Sequence, residues 1–150
     1  MPAEAFDPRE LDCEQWIRTA LEMGATYAIL TAKHHDGFAL YHSKVDKFNV
    51  VDATPFKRDV VGELAEACYK HNIKLGLYYS LLDWHHPDYP HYGDNFHPMR
   101  NDPACENSGR DFDRYLDYMF GQIQELVSGY GKLDLMWFDF SYGEMKGHKW

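Results

Sequence analysis

Three amphipathic helical segments, each followed by a short apolar run, constrain the fold of this chain more than any other feature of its sequence. In the helical segments, apolar residues recur at the spacing of one helix face. In chain order, the predicted helices cover 13–23, 60–68 and 112–126, and the predicted strands cover 27–31, 73–80 and 133–138. Helices that alternate with strands in this way favour right-handed crossover units and a parallel sheet with both faces covered. The predicted class is α/β.

Three residues predict where the helices begin and end. Gly24 and Gly129 lie where the first and third helical patterns stop, as a glycine at a helix C-terminus does. Asp59, in the segment Lys57-Arg58-Asp59, directly precedes the second pattern and is predicted to cap that helix. We assign this segment no catalytic role.

Polar and aromatic residues accumulate at the end of each predicted strand. They are the KHHDG string at 33–37, the segments 78–80 and 83–86, and Asp139. No glycine-rich phosphate-binding motif follows any strand, so the main support for a nucleotide-binding open sheet is missing. Chemistry at the carboxyl ends of parallel strands is typical of a (β/α)8 TIM-like barrel, which takes about 250 residues. We therefore expect residues 1–150 to be a fragment of a single barrel domain, with about three of its helix–strand units.

Composition excludes several partners. The chain has 15 lysines and arginines against 24 aspartates and glutamates, and its net charge of −9 repels nucleic acid and anionic membranes. No run approaches the roughly 18 apolar residues of a membrane span, and no signal peptide is recognisable in this segment. A soluble chain is expected, with compartment and oligomeric state left open. Cys13, Cys68 and Cys105 lack a CxxC pairing, so neither a disulfide framework nor a zinc knuckle is implied.

Asp139 is the leading candidate for a catalytic group. Strand alternation puts it on the same face as Leu135 and Trp137, so a face that lines a barrel would carry its carboxylate into the mouth. A nucleophile must stay ionised there, which requires hydrogen-bond donors or a cation. The nearest candidate donors end other strands: His34, His35 and Tyr78. A structural role for Asp139, as a helix cap or a surface acid, is equally open on this pattern.

The His34-His35-Asp36 string allows more than one role. Neighbours on an extended strand point to opposite faces, so both histidines reach one metal ion only across a turn, and neither an HExxH motif nor a cysteine cluster accompanies them. Hydrogen bonding to a bound ligand is therefore favoured over metal binding, with a structural pair as the alternative. No metal or cofactor is predicted.

The segment 83–97 is rich in aromatic residues and histidine, and it is long for a loop between a strand and a helix. Such side chains suit a rim that stacks on a sugar ring and hydrogen-bonds its hydroxyls. A solvated insertion is the alternative.

Four strings of the sequence, in this order and spacing, resemble the catalytic domain of α-L-fucosidases of glycoside hydrolase family 29. They are YAILTAKHHDGF at 27–38, KRD at 57–59, GLYYS with DW at 76–84, and WFD at 137–139. The resemblance covers nearly the whole chain. It implies a (β/α)8-like barrel that hydrolyses terminal α-L-fucosides of oligosaccharides or glycoconjugates with retention, through a covalent glycosyl-enzyme and without a cofactor.

The resemblance also implies roles for five residues. Asp139 corresponds to the nucleophile, His34 and His35 to histidines that hydrogen-bond fucose hydroxyls, Tyr78 to a tyrosine near the reacting centre, and Trp137 to a tryptophan that lines the sugar pocket.

The chain departs from the family pattern in two respects. Phe140 stands where the family often has glycine, and the family's opening strand with its sugar contacts is absent. Retaining hydrolysis needs two carboxyl groups about 5 Å apart. We expect the acid/base carboxyl to lie outside this chain, do not assign it to Glu144, and expect the isolated chain to be inactive. The alternatives are a carbohydrate-binding pseudoenzyme of the same fold and a metal-dependent hydrolase that uses the histidine cluster.

Overall fold

The computed structural model describes residues 2–91, 96–105 and 109–139. These residues form three helices and three strands, with short 3-10 turns at Ala3–Ala5 and Pro103–Cys105. In chain order, the elements are α1 (Cys13–Glu22), β1 (Tyr27–Lys33), α2 (Val60–Lys70), β2 (Lys74–Ser80), α3 (Phe112–Gly129) and β3 (Leu135–Asp139). The strands are parallel and lie in the order β1-β2-β3. The predicted α/β class with a parallel sheet is confirmed.

Each helix begins after an aspartate. The side chains of Asp12, Asp59 and Asp111 accept backbone N–H groups of the first helical turn at 2.9, 2.8 and 3.0 Å. Such a cap stabilises a helix by about 1 kcal/mol relative to alanine. The prediction that Asp59 caps the second helix is confirmed.

Some element boundaries differ from the sequence prediction. The left-handed glycine Gly24, φ +83°, follows the first helix as predicted. Gly129, predicted to end the third helix in the same way, is instead its last helical residue, and the left-handed glycine after that helix is Gly131, φ +72°. β1 extends to Lys33, and β3 begins and ends later than the predicted 133–138. Asp139 is consequently the last residue of a strand rather than the first residue of the loop that follows.

The core lies between the sheet and the helices. Leu75, Leu77 and Tyr79 alternate along β2 and are 1%, 0% and 0% exposed. Burial of each side chain of this size contributes about 1.5–3 kcal/mol. The buried residues that the helices add include Ile17, Val60, Val61, Leu64, Cys68, Tyr115, Met119 and Leu126.

The opposite face of the sheet is accessible. It carries Tyr27, Leu135 and Trp137, which are 60%, 44% and 52% exposed. The helix α2 packs on the face that carries Leu75 and Leu77 and leaves the opposite face accessible. The prediction that both faces are covered is therefore wrong for the described part of the chain.

Two of the three cysteines are described, and both are buried free thiols. Burial raises the pKa of Cys13 and of Cys68 to about 11. Both are therefore protonated and weakly reactive near neutral pH. Within the described ranges, none of the helices has the length and apolar character that crossing a bilayer requires.

Candidate active site at the carboxyl ends of the strands

Asp139 and Tyr78 meet on the accessible face of the sheet. The register of the two strands sets Tyr78 opposite Trp137 and Ser80 opposite Asp139, so Tyr78, Trp137 and Asp139 share this face. The hydroxyl of Tyr78 donates to Oδ2 of Asp139 at 3.0 Å. The backbone N–H of Leu81 donates to the carbonyl oxygen of Asp139 at 3.1 Å. Both the carboxylate and the backbone of Asp139 are thereby oriented.

Aromatic and imidazole rings surround the Tyr78 side chain. The ring of His34 is stacked with that of Tyr78, with ring centroids 5.6 Å apart and planes 15° apart. The ring of Trp137 meets that of Tyr78 edge to face at 5.8 Å. The structure therefore brings four of the five predicted site residues into one cluster.

The fifth, His35, adjoins this cluster. Its ring centroid lies 4.0 Å from that of His34 and 4.0 Å from that of Trp84. The two histidines lie in a turn after β1, closed by a hydrogen bond from the N–H of Gly37 to the carbonyl of His34 at 3.0 Å. Because His34 and His35 lie in a turn and not on an extended strand, the expectation that their side chains point to opposite faces does not apply. No group of three or more His, Cys, Asp or Glu side chains able to hold a metal ion occurs in the described ranges.

The segment 83–97 is built into the protein at both of its ends, while residues 92–95 lie outside the described part of the chain. Tyr89 is fully buried, and its carbonyl accepts a hydrogen bond from Arg110 at 2.9 Å. His97 is 5% exposed and packs edge to face with Trp84 at 5.3 Å. The described part of this segment is therefore not a solvated insertion, and Trp84 connects it to His35.

A buried ion pair that the sequence patterns did not predict lies next to the histidines. Nζ of Lys33 lies 2.8 Å from Oδ2 of Asp83, and the two side chains are 0% and 1% exposed. Burial lowers the pKa of Lys33, and the negative charge of Asp83 opposes that shift. The available signal was a lysine in an apolar strand, because a buried ammonium group needs a partner.

The fold and the cluster together define a class of protein. It is an α/β protein that assembles a carboxylate, aromatic rings and imidazoles at the carboxyl ends of parallel strands, where barrel enzymes carry their catalytic groups. The chain belongs to the α-L-fucosidase family, because the family model described as Alpha-L-fucosidase matches residues 2–150.

Individual relatives agree with this assignment. Alpha-L-fucosidase isoenzyme 1 from Paenibacillus thiaminolyticus is 46% identical, with a TM-score of 0.92 over 96% of this chain and 34% of its own. The fucosidase AlfC from Lactobacillus casei, in a variant in complex with Fuca(1,6)GlcNAc, is 42% identical, with a TM-score of 0.84 over 94% of this chain and 47% of its own. A putative alpha-L-fucosidase 1 from Oryza sativa subsp. japonica is 39% identical over 94% of this chain and 24% of its own length. This chain thus spans less than half the length of each of these relatives.

Proposed function

We propose that this chain carries the nucleophile and part of the sugar site of an exo-acting α-L-fucosidase, which cleaves terminal α-L-fucosides with retention of configuration. The observation that carries the proposal is the strand-end carboxylate of Asp139, held by Tyr78 in a cluster of rings, in a chain of the α-L-fucosidase family. The substrate class is a fucosylated oligosaccharide or glycoconjugate. Its support is the AlfC structure, whose ligand is Fuca(1,6)GlcNAc.

Asp139 acts in this proposal as the nucleophile. Its carboxylate forms a bond to C1 of fucose while the glycosidic C–O bond breaks, and the leaving oxygen takes a proton from a second carboxyl group. Water then releases fucose from the glycosyl-enzyme as the second carboxylate takes a proton from that water. We assign this acid/base group to a part of the catalytic domain outside this chain.

The residues around Asp139 bind and orient the sugar. The imidazoles of His34 and His35 hydrogen-bond fucose hydroxyls, and the indole of Trp137, 52% exposed, packs against the apolar side of the ring. Tyr78 donates a charge-assisted hydrogen bond to Oδ2 of Asp139, and this contact orients the carboxylate for attack on the anomeric carbon.

We further propose that residues 1–150 form about three helix–strand units of a single (β/α)8 catalytic barrel. The accessible sheet face with Leu135 and Trp137 supports this, because a barrel buries that face against its other strands. The shares of the relatives that this chain matches, 24% to 47%, are further support.

The first test is the stereochemistry of hydrolysis by the enzyme that contains this chain. With 4-nitrophenyl α-L-fucoside, we expect α-L-fucose as the first product in a proton NMR time course, and an unchanged rate after dialysis against EDTA. Release of β-L-fucose first would contradict retention. Sugar binding without turnover would indicate a pseudoenzyme, and loss of activity with EDTA that returns with a divalent cation would indicate a metal-dependent hydrolase.

Replacement of Tyr78 by phenylalanine tests the contact to the nucleophile. We expect kcat/KM for the same substrate to fall about 10- to 100-fold, because a hydrogen bond to a charged group contributes about 1.5–3 kcal/mol. The matched control is Tyr69→Phe, since the Tyr69 hydroxyl donates to two backbone carbonyls in the turn before β3, at 2.6 and 2.9 Å. Equal kcat/KM values for the two variants would remove Tyr78 from the mechanism.

A further inference from the structure

We propose that the buried pair Lys33–Asp83, together with Tyr118, positions the His34-His35 turn and Trp84 for sugar binding. The inference rests on the sugar site proposed above and adds three residues that do not themselves contact sugar. Lys33 is 0% exposed and Asp83 is 1% exposed, so any effect on binding passes through the groups that they hold.

Lys33 is directed into the protein by an irregularity of β1. The pairing of β1 with β2 shifts between Thr31 and Lys33, so Lys33 lies opposite Tyr79. Its ammonium lies 4.5 Å from the centroid of the Tyr79 ring and 2.8 Å from Asp83. The residue that directly precedes the two histidines is thus fixed on the buried side of the sheet.

The carboxylate of Asp83 accepts four hydrogen bonds. Oδ2 accepts from Nζ of Lys33 at 2.8 Å and from the hydroxyl of Tyr118 at 3.2 Å. Oδ1 accepts from the backbone N–H groups of His85 and His86 at 3.0 and 2.9 Å. One side chain therefore joins the end of β1, helix α3 and the loop after β2.

The turn after β1 also contacts this carboxylate directly. Gly37 has φ +80°, and a Cβ built at this position would lie 2.6 Å from Oδ1 of Asp83 and 2.7 Å from Cβ of His85. The turn that presents His34 and His35 can therefore approach the loop only through a glycine, and its position depends on where Asp83 lies.

The turn after β1 and the loop after β2 are joined a second time, at the proposed sugar site. The N–H of Trp84, the residue after Asp83, donates to the carbonyl of His35 at 2.7 Å, and the two rings are in contact. Lys33 with Asp83 and His35 with Trp84 thus form two adjacent connections between the same pair of segments. Displacement of the first connection moves the rings of the second.

Stability alone does not account for an ion pair at this position. Removing two charges from water offsets much of their attraction, and well-packed apolar residues commonly stabilise a fold as well as a buried pair does. What apolar residues cannot reproduce is the set of directed hydrogen bonds that fixes the geometry of the turn and the loop.

The test uses the double variant Lys33→Met/Asp83→Leu, which replaces both charges by apolar side chains of similar size, in the enzyme that contains this chain. We expect KM for 4-nitrophenyl α-L-fucoside and Kd for L-fucose to rise at least about 10-fold, because displaced imidazoles lose hydrogen bonds to the sugar hydroxyls. The control is Ser43→Ala, which removes a partly buried hydrogen bond of 2.8 Å from Ser43 to Glu125 of helix α3. It should lower the unfolding midpoint and leave KM unchanged.

A double-mutant cycle separates positioning from a general loss of structure. In a background that carries His34→Ala, His35→Ala and Trp84→Ala, the double variant should raise KM less than about twofold further, because its effect passes through these three side chains. An equal rise in both backgrounds would overturn the inference.

Tyr118→Phe provides a variant that retains the fold should the double variant fail to fold. It removes only the hydroxyl contact to Asp83, and we expect an increase in KM of about threefold. An unchanged KM in folded variants of an active enzyme would overturn the positioning role alone, whereas an inactive wild-type enzyme would overturn the proposed function.

Discussion

Replacement of Asp139 by alanine is expected to abolish hydrolysis of 4-nitrophenyl α-L-fucoside, with a loss in kcat of at least about 10,000-fold. The variant lacks the carboxylate oxygen that forms the bond to C1 in the proposed mechanism. The protein should fold normally, because the Asp139 side chain is only partly buried and its backbone contact to Leu81 does not need the carboxylate. Steady-state kinetics at saturating substrate measure the effect.

A control and a labelling experiment test the assignment of Asp139 more closely. Asp134→Ala removes a carboxylate a few residues earlier that pairs with Lys132 at 2.8 Å, and it should leave kcat within about twofold. A mechanism-based 2-fluoro-fucosyl inhibitor should label the peptide that contains Asp139, as read by mass spectrometry. A label on another residue, or near-normal turnover by the alanine variant, would remove Asp139 from the mechanism.

Replacement of Asp83 by alanine is expected to lower the free energy of unfolding by about 3–5 kcal/mol. It leaves the fully buried ammonium of Lys33 without its carboxylate, and the hydroxyl of Tyr118 loses the same acceptor. The N–H groups of His85 and His86 lose their acceptor as well. The shift of the denaturant midpoint, followed by fluorescence, measures the loss.

The matched control is Glu14→Ala, which removes the partner of Lys70 in an ion pair of similar length, 2.7 Å. Lys70 is 61% exposed, and exposed pairs of this kind contribute little to stability, so the midpoint should hardly move. Equal shifts for the two variants would show that the Lys33–Asp83 pair is effectively solvated.

Local sequence patterns predicted the elements of the fold because the signals for them are local. The helical period, the glycine after α1 and the cap at Asp59 involve residues a few positions apart, whereas Gly129 lies inside α3 and Gly131 follows that helix. For the site, the sequence predicted only that the ends of parallel strands lie at one edge of the sheet. This rule placed Tyr78 and Asp139 at that edge. Their hydrogen bond depends on the register of β2 and β3 across 61 residues.

The Lys33–Asp83 pair shows why other contacts at the site could not be predicted from the sequence. Strict alternation along β1 places Lys33 on the same face as Ile29 and Thr31, toward the accessible side. The register shift after Thr31 reverses that direction, and such an irregularity has no distinct local signal in this strand. The partner lies 50 residues away, so no spacing rule connects the two charges.

The close approach at Gly37 has a consequence for how this sequence can diverge. With φ +80° and only 2.6 Å between a built Cβ and Asp83, a mutation to any larger amino acid requires the backbone of the turn or of the neighbouring loop to move. Substitutions in these two segments are therefore tolerated chiefly in compensating combinations. A substitution accepted in one segment determines which substitutions the other segment can accept. The two segments, although distant in the sequence, are therefore expected to evolve together.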